Sequence, residues 1–429
     1  MTASTPIALS AHEKVLKELY PSKRLPIQVA YHEPLMGLMK MRSDFGSDYM
    51  NVPIQYASNQ SISTTFATGQ AVGHSNKFQR FAVSRVKQYG FTRLEREFIM
   101  AMKKDAWAFV NGLKSEVDGL RTTMGNELNF QLYEDGTGCL GEVTAFTSPS
   151  LQFTVSTTDV IKFYPGMELQ FDTGADGATS AVEDTLSYAV VSAVDYGTGV
   201  ITTTPPSGSA TDLDNSAFLG TSFAEGVYAF RNGNKAGTIK GLKAWCPYVK
   251  PTGGDSFFGV DRSVDTFNLS GLSYDGTAAG TIEGGLIDAH GYFSQFVDDF
   301  NGIIIVNTRQ WSNLAKEMHS NLQRTNVQGT NDLAKAAKIG YPAISLVGHG
   351  RELKVLASRS CPYRYAWFLD PSKFTLHGLG EVPEIFKDPD DGKSLLRLDN
   401  ADAFELRMGW NCNLYTPEPR KTMCVYLPA

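Results

Sequence analysis

The sequence predicts an α+β chain: a long helix, an extended β-ribbon before it, an inserted antiparallel β-domain after it, then an α/β region and closing strands. Three observations carry this. One apolar stripe runs from Thr92 to about Glu134, a long hairpin-like stretch at 47–91 with an alternating return strand precedes it, and lysine and arginine nearly vanish between Cys139 and Arg231 while strand-like runs multiply.

The helix is the organising element. Leu94, Phe98, Met102, Ala106, Phe109, Leu113, Val117, Leu120, Met124, Leu128 and Leu132 recur at three- and four-residue steps, the spacing of a single apolar helix face. Thr92 followed by Glu95 fits a capping-box start. Proline is absent, so a continuous helix would run roughly 60 Å at ~1.5 Å per residue. Helices of globular domains usually run ~8–20 residues. Gly112, Gly119 and Gly125 each weaken the helix by about 1 kcal/mol relative to alanine and mark candidate bends. The stripe fits a core helix, or two helices broken near Gly112, as well as a spine across which other subunits pack.

Composition bounds the function. The 429 residues suggest about two to four domains, and a 42% hydrophobic share allows a large core. The net charge of -6 argues against a strongly basic nucleic-acid binder, while a protein that encloses nucleic acid without gripping it fits. No run of about 18 apolar residues is present to span a membrane, and the N-terminus lacks an apolar core with a cleavage site. The five cysteines, Cys139, Cys246, Cys361, Cys412 and Cys424, form no CxxC pair. Free thiols in a reducing cytosol are expected rather than a disulfide framework or a zinc site.

The chain opens with an arm, residues 1–46. A short helix is expected over His12–Tyr20, ended by Pro21. Leu35, Met36, Leu38, Met39 and Met41 form a sticky segment that suits either core packing or docking on a neighbouring subunit. Residues 47–91 read as a hairpin with strands Val52–Ala57 and Phe78–Phe91 and a Ser/Thr/Gly/Gln-rich tip, Ser58–Asn76. Neither face of the return strand is fully apolar, so the ribbon needs something to lie on. Its edges would otherwise invite aggregation. The helix leaves at Gly136 and Gly138, which permit positive φ. A phosphate site there is disfavoured, because a helix C-terminus repels anions.

Strands are expected at Leu151–Val155, Met167–Phe171, Ser187–Val194 and Val200–Thr204, forming a small barrel-like domain over 140–237. Helices at Ile282–Val297, Thr308–Leu322 and Asp332–Lys338 alternate with strands at Gly302–Val306, Ile344–Val347 and Leu353–Leu356, the pattern of an α/β domain. Strands at Lys393–Leu398, Ala403–Leu414 and Met423–Leu427 close the chain.

Chemical motifs are sparse. Gly348-His349-Gly350 reads as a plain turn. Asp388, Asp390 and Asp391 lack the terminal glutamate of a calcium loop. His12, His32, His74, His290, His319, His349 and His377 are far apart, with no HxxxH pair. No nucleophile elbow or P-loop occurs. No catalytic, cofactor or metal residue is therefore expected, and the chain does not read as an enzyme. The expected functional residues are interfacial: Arg80, Arg85, Lys87, Arg93 and Arg96 place positive charge at the ribbon and helix start, where acidic groups of a neighbouring subunit would meet them. Ordinary solvated charge explains any single one of them equally well.

In order and spacing these elements resemble the HK97-like major capsid proteins of tailed bacteriophages. Tyr133-Glu-Asp-Gly-Thr-Gly138 resembles that family's helix exit, with Glu134 where glycine is common. Lys240-Gly-Leu-Lys243 and Phe258-Gly-Val-Asp-Arg262 resemble its linker into the axial domain. Asn400-Ala-Asp-Ala-Phe404 and Met423-Cys-Val-Tyr-Leu-Pro428 resemble its closing strand pair. The resemblance implies an N-terminal arm (1–46), an extended loop (47–91) and a spine helix of the peripheral domain (92–139). The inserted β-domain (140–237), peripheral linker strands (238–257), axial domain (258–392) and closing strands (393–429) follow. It further implies a subunit of hexamers and pentamers in an icosahedral head around double-stranded DNA, located in the virion and assembled in the host cytoplasm. No cofactor and no membrane are involved. A separate scaffolding protein and a portal are implied partners, with a decoration protein as an option, since the long charged N-terminal segment of self-scaffolding relatives is absent. The Lys–Asn crosslink of some members is not carried over to Asn76 and Lys77. Two other readings compete: an encapsulin-like storage compartment, and a β-rich carbohydrate-active enzyme or adhesin.

Overall fold

The computed structural model describes residues 33–73, 75–97, 100, 112–147, 150–176, 188–204, 213, 223–298, 300–321, 344–348, 351–387, 392, 394–398 and 401–429. The helix expected at His12–Tyr20 and that at Asp332–Lys338 lie outside these residues, as do His349, Gly350 and the Asp388–Asp391 stretch.

The described chain begins with a short helix, α1 (Pro34–Leu38), with proline at its first turn, where no N–H is needed. It buries Leu35 completely. Strand β1 (Lys40–Arg42) follows. The ribbon is β2 (Tyr49–Ala57), a tip that includes helix α2 (Phe66–Ala71), and β3 (Lys77–Ser84). The two strands pair antiparallel, with Val52 opposite Phe81. Period two puts Val52, Ile54, Phe81 and Val83 on one face, and these four are buried in the main core. Phe81 meets the rings of Trp245 at 5.3 Å and Phe257 at 6.0 Å. The base of the ribbon thus lies on its own body, while the tip projects.

Two expectations are corrected next. The return strand does not continue to Phe91: it ends at Ser84, and a new strand, β4 (Val86–Glu95), leaves the ribbon. Nor does Thr92 with Glu95 cap a helix. Both lie in β4, whose Thr92 and Leu94 pair with Leu406 and Phe404 of a long C-terminal strand. The physical reason is competition. Val86, Tyr89, Phe91 and Thr92 favour a pleated surface, and ten paired residues outweigh one capping hydrogen bond. Thr92 and Leu94 are buried at period two, a rhythm that the three-and-four spacing beginning at Leu94 hides.

The described helix is α3 (Gly112–Gln131), about 30 Å long at ~1.5 Å per residue, and it runs through Gly119 and Gly125 unbroken. Met124, Leu128 and, just beyond the end, Leu132 are buried as the stripe requires. The helix lies close on β4: a Cβ on Gly90 would stand 2.9 Å from both Leu120 Cδ1 and Met124 Sδ. Gly136 and Gly138 take φ of 91° and 79° at the helix exit.

The inserted region is a closed six-stranded barrel. Its strands are β5 (Cys139–Phe146), β6 (Gln152–Val155), β7 (Glu168–Asp172), β8 (Ala189–Val194), β9 (Val200–Thr204) and β10 (Tyr228–Arg231). Their order is β10-β5-β6-β9-β8-β7 with antiparallel neighbours, so the barrel has no free edge. Phe153, Phe171 and Phe223 fill it edge to face, with centroids 4.9–6.0 Å apart. The first and last strands carried no legible signal. Gly141 interrupts the one and the other has only four residues.

The remaining elements are α4 (Leu242–Trp245), α5 (Thr266–Ser270), β11 (Leu272–Asp275), α6 (Ile282–Ser294), β12 (Ile303–Asn307), α7 (Thr308–Asn321), β13 (Ile344–Gly348), β14 (Arg351–Ser358), β15 (Tyr365–Leu369), β16 (Thr375–Gly378), β17 (Glu384–Ile385), β18 (Leu395–Arg397), β19 (Ala403–Tyr415) and β20 (Thr422–Tyr426). One mixed sheet runs β11-β20-β15-β12-β14-β13. Helix α6 packs against it through Ile282, Leu286, Ala289 and Phe293. The second sheet is built along β19. Strands β16, β17 and β18 pair along one edge, β4 pairs along the other, and β1 adds in parallel beyond β16.

Candidate subunit-interface surfaces

The ribbon tip, residues 58–76, contains no Asp, Glu, Lys or Arg. Its fold is held by short polar bonds: the Asn59 N–H donates to Asn76 Oδ1 at 2.8 Å, the Ser61 N–H to Asn59 Oδ1 at 2.8 Å, and the Thr65 hydroxyl to Thr68 Oγ1 at 2.7 Å. Its large apolar side chains are not held. Ile62 is 84% exposed, Phe66 85%, and neighbouring Phe78 62%. An uncharged surface with protruding apolar groups suits a protein partner, and it holds no Lys or Arg to neutralise a phosphate backbone.

A second surface lies on β4 and β19. Tyr89 and Phe91, each 52% exposed, stack with centroids 6.4 Å apart, and Tyr89 meets Phe386 at 6.0 Å. Beside them Glu405 is buried between two guanidinium groups: Arg93 Nε and Arg407 Nε each donate to it at 2.7 Å. Burial alone would raise the Glu405 carboxyl. The hydrogen bonds from Arg407 and Arg93 outweigh it and hold the group below its ordinary value.

The five cations expected at interfaces divide. Arg85 donates to the Phe45 carbonyl at 3.0 Å, stands over the Phe45 ring and lies 3.7 Å from Asp48. Arg93 binds Glu405, and Arg96 lies 3.8 Å from Asp402. These three meet acidic groups of their own chain. Arg80 and Lys87 are exposed, on the ribbon and on β4. Lys87 and Tyr89 also line a cleft of about 450 Å³ between β4 and the barrel, with Glu168 and Arg231 opposite.

Where the barrel joins the helix exit, a buried charge cluster ties the two. Lys162 Nζ lies 2.7 Å from Glu134 and 3.3 Å from Asp159, and Lys243 lies 3.1 Å from Asp135. Burial disfavours the charged form of Lys162, but Glu134 and then Asp159 reverse this and raise its pKa above the ordinary lysine value. Lys235 and Asp172 form a further pair at 2.5 Å near the barrel exit. Among the described residues no group of three metal-ligating side chains converges, and no helix is long and apolar enough to cross a membrane. The cysteines are free, and four are buried. Burial pushes the Cys139 thiol up to about 12.

Sequence reasoning missed Ile62, Phe66 and the Tyr89–Phe91 pair. The available signal was two isolated large apolar residues in a charge-free loop.

The whole-chain architecture has a counterpart among solved structures. The capsid subunit of cyanophage A-1(L) superposes with a TM-score of 0.54 at 9% identity, over 96% of this chain and 98% of that one. The fold is that of a phage capsid protein, HK97-like. A gene-transfer-agent capsid gives a TM-score of 0.44 at 9% identity, covering 99% of each chain. An encapsulin complex of Synechococcus elongatus gives 0.43 at 5% identity, covering 98% of this chain and 95% of that one. The fold assignment rests on the first. No protein-family model matches the sequence. No curated protein matches it either.

Proposed function

We propose that this chain is the major structural subunit of a tailed-phage-type head, with many copies closing as hexamers and pentamers into an icosahedral shell around double-stranded DNA. The observation that carries the reading is the ribbon: its base is buried in its own body, while Ile62 and Phe66 stand exposed on a charge-free tip, with Phe78 exposed beside it on β3. Each such side chain is worth roughly 1.5–3 kcal/mol when fully buried, so a neighbouring copy is the natural cover. The ribbon and the arm would each lie across the next subunit, with Arg80 and Lys87 offered to its acidic groups. Repeated over a shell, modest contacts sum to a stable particle.

The net charge of -6 suits a container that must not hold its DNA tightly. Assembly would use a separate scaffolding protein and a portal in the host cytoplasm, and the barrel is the proposed seat of a decoration protein. The subunit does no chemistry in this reading.

The test is expression of the chain alone and with candidate scaffolding proteins, followed by negative-stain electron microscopy. Closed shells or capsomer rings of uniform size are the expected result. A monomer under every condition would overturn the reading. Protein cargo instead of DNA in native particles would make the shell a storage compartment.

A further inference from the structure

Strand β4 is ten residues long and pairs on one side only. It faces β19 throughout, from Val86 opposite Cys412 to Glu95 opposite Ala403. Among the described residues no strand lies on its other side. An open edge of that length is a template for another chain.

The hydrogen bonds show which groups this edge presents. Leu398, Phe386 and Leu379 donate their N–H groups to the carbonyls of Ala403, Arg407 and Asn411. The odd-numbered residues of β19 therefore turn their backbone groups away from β4, and the even-numbered ones bond to it. The partners of the latter are Val86, Gln88, Gly90, Thr92 and Leu94. The Arg96 N–H, which donates to Asp402 O at 3.0 Å, continues the same rhythm. In an antiparallel ladder each residue turns both backbone groups the same way, and successive residues alternate. Lys87, Tyr89, Phe91, Arg93 and Glu95 thus offer their N–H and C=O groups at the open edge. Their side chains share one face of the sheet, opposite the face where α3 covers Gly90.

These five residues complement themselves. We propose that β4 is a self-pairing edge, through which two copies of this chain join antiparallel about a two-fold axis at Phe91. In that register Phe91 meets Phe91 of the second copy, Tyr89 meets Arg93, and Lys87 meets Glu95. Aromatic pairs and opposite charges directly across a ladder stabilise it, and like charges oppose it. Neither Lys87 nor Glu95 forms a salt bridge within its own chain among the described residues. A slide of two residues one way sets Lys87 against Arg93. A slide the other way carries Lys87 past the end of the second strand. Parallel pairing in register sets every charge against its like.

The surroundings leave room for the second copy. Helix α3 lies over both β4 and β19. With strands ~4.8 Å apart, the two α3 helices would stand roughly 10 Å apart across the seam, an ordinary distance for packed helices. At the Lys87 end, the cleft of about 450 Å³ between β4 and the barrel gives space for the Glu95 end of the second strand, with Arg231 as a further cation on its wall. The pairing goes beyond the shell reading: it is a contact between two copies and stands whether or not shells form.

The test is disulfide trapping in the full chain, with Cys139, the one cysteine that is not buried, replaced by serine. Phe91 would face itself across the axis with Cα atoms ~5.5 Å apart, within reach of a disulfide. Phe91→Cys should therefore give covalent dimers under mild oxidation, read by non-reducing electrophoresis. Tyr89 would lie about 13 Å from its own copy, so Tyr89→Cys should not cross-link. In the Phe91→Cys chain, Lys87→Glu and Glu95→Lys should each lower the rate of cross-linking about tenfold, and both together should restore it. No dimer with Phe91→Cys, equal cross-linking at positions 89 and 91, or a double exchange as slow as the single ones would overturn the pairing. Closed shells without the cross-link would remove the pairing and leave the shell reading; cross-linked dimers without shells would do the reverse.

Discussion

Lys162 reaches out of the barrel to Glu134 at the exit of helix α3, 2.7 Å from Nζ to Oε1, with side chains only 9% and 14% exposed. The pair fixes an inserted domain to the element from which it springs. Breaking one side of such a buried pair costs about 3–5 kcal/mol, because the other charge stays behind unpaired, whereas replacing both partners with apolar residues costs less. Glu134→Ala should therefore destabilise the junction more than the double replacement Glu134→Leu with Lys162→Met. Differential scanning calorimetry checks the order, and a Glu134→Ala loss no larger than that of the double variant would mean that Asp159, at 3.3 Å, suffices for the lysine.

A second prediction concerns acid. Glu405 is buried and its folded pKa is lowered by Arg407 and Arg93. A depressed carboxyl contributes stability that is fully present above its unfolded value, ~4.3, and is lost as pH falls through the folded value. Thermal stability should thus drop below about pH 4.3. In Glu405→Gln the acid limb should be shallower and the neutral-pH stability lower, since two guanidinium groups lose their anion. A melting series between neutral pH and strong acid reads both.

The contact of α3 with β4 depends on one missing methyl. A Cβ at Gly90 would stand 2.9 Å from Leu120 and Met124, closer than ordinary packing allows. Gly90→Ala should cost about 1–3 kcal/mol by forcing the helix away from the strand. Leu120→Ala in the same chain should recover part of that loss. Urea denaturation of the two variants and the pair tests this coupling.

These relationships explain which features were legible in the sequence. Strand β20 could be read because its burial leaves a continuous apolar run, β19 because Phe404, Leu406, Met408, Trp410, Cys412 and Leu414 alternate with Glu405, Arg407, Gly409, Asn411 and Asn413, and α6 because Ile282, Leu286, Ala289 and Phe293 keep helical spacing. β4 was misread because Leu94 belongs to two rhythms at once, and only the presence of β19, some 300 residues away, selects the extended one. The charges tell the same story. Arg93 could be seen as a cation, but its anion, Glu405, is 312 residues distant. Arg85 likewise finds the Phe45 carbonyl 40 residues back. Residue type announces a charge; only the fold says whether it is spent at home.

The exposed tip is where the proposed function meets the subunit's own stability. Ile62 and Phe66 touch solvent over most of their surface, so replacing them with serine should leave subunit stability within about 0.5 kcal/mol, as for surface substitutions generally. Assembly is another matter. If a neighbour covers each tip, every subunit in the shell loses roughly 1.5–3 kcal/mol per side chain, multiplied by every copy. Ile62→Ser with Phe66→Ser should melt like the parent chain, yet should fail to give closed particles by light scattering and electron microscopy under conditions in which the parent does. A double variant that assembles normally would show that the ribbon tip is not the contact that closes the shell.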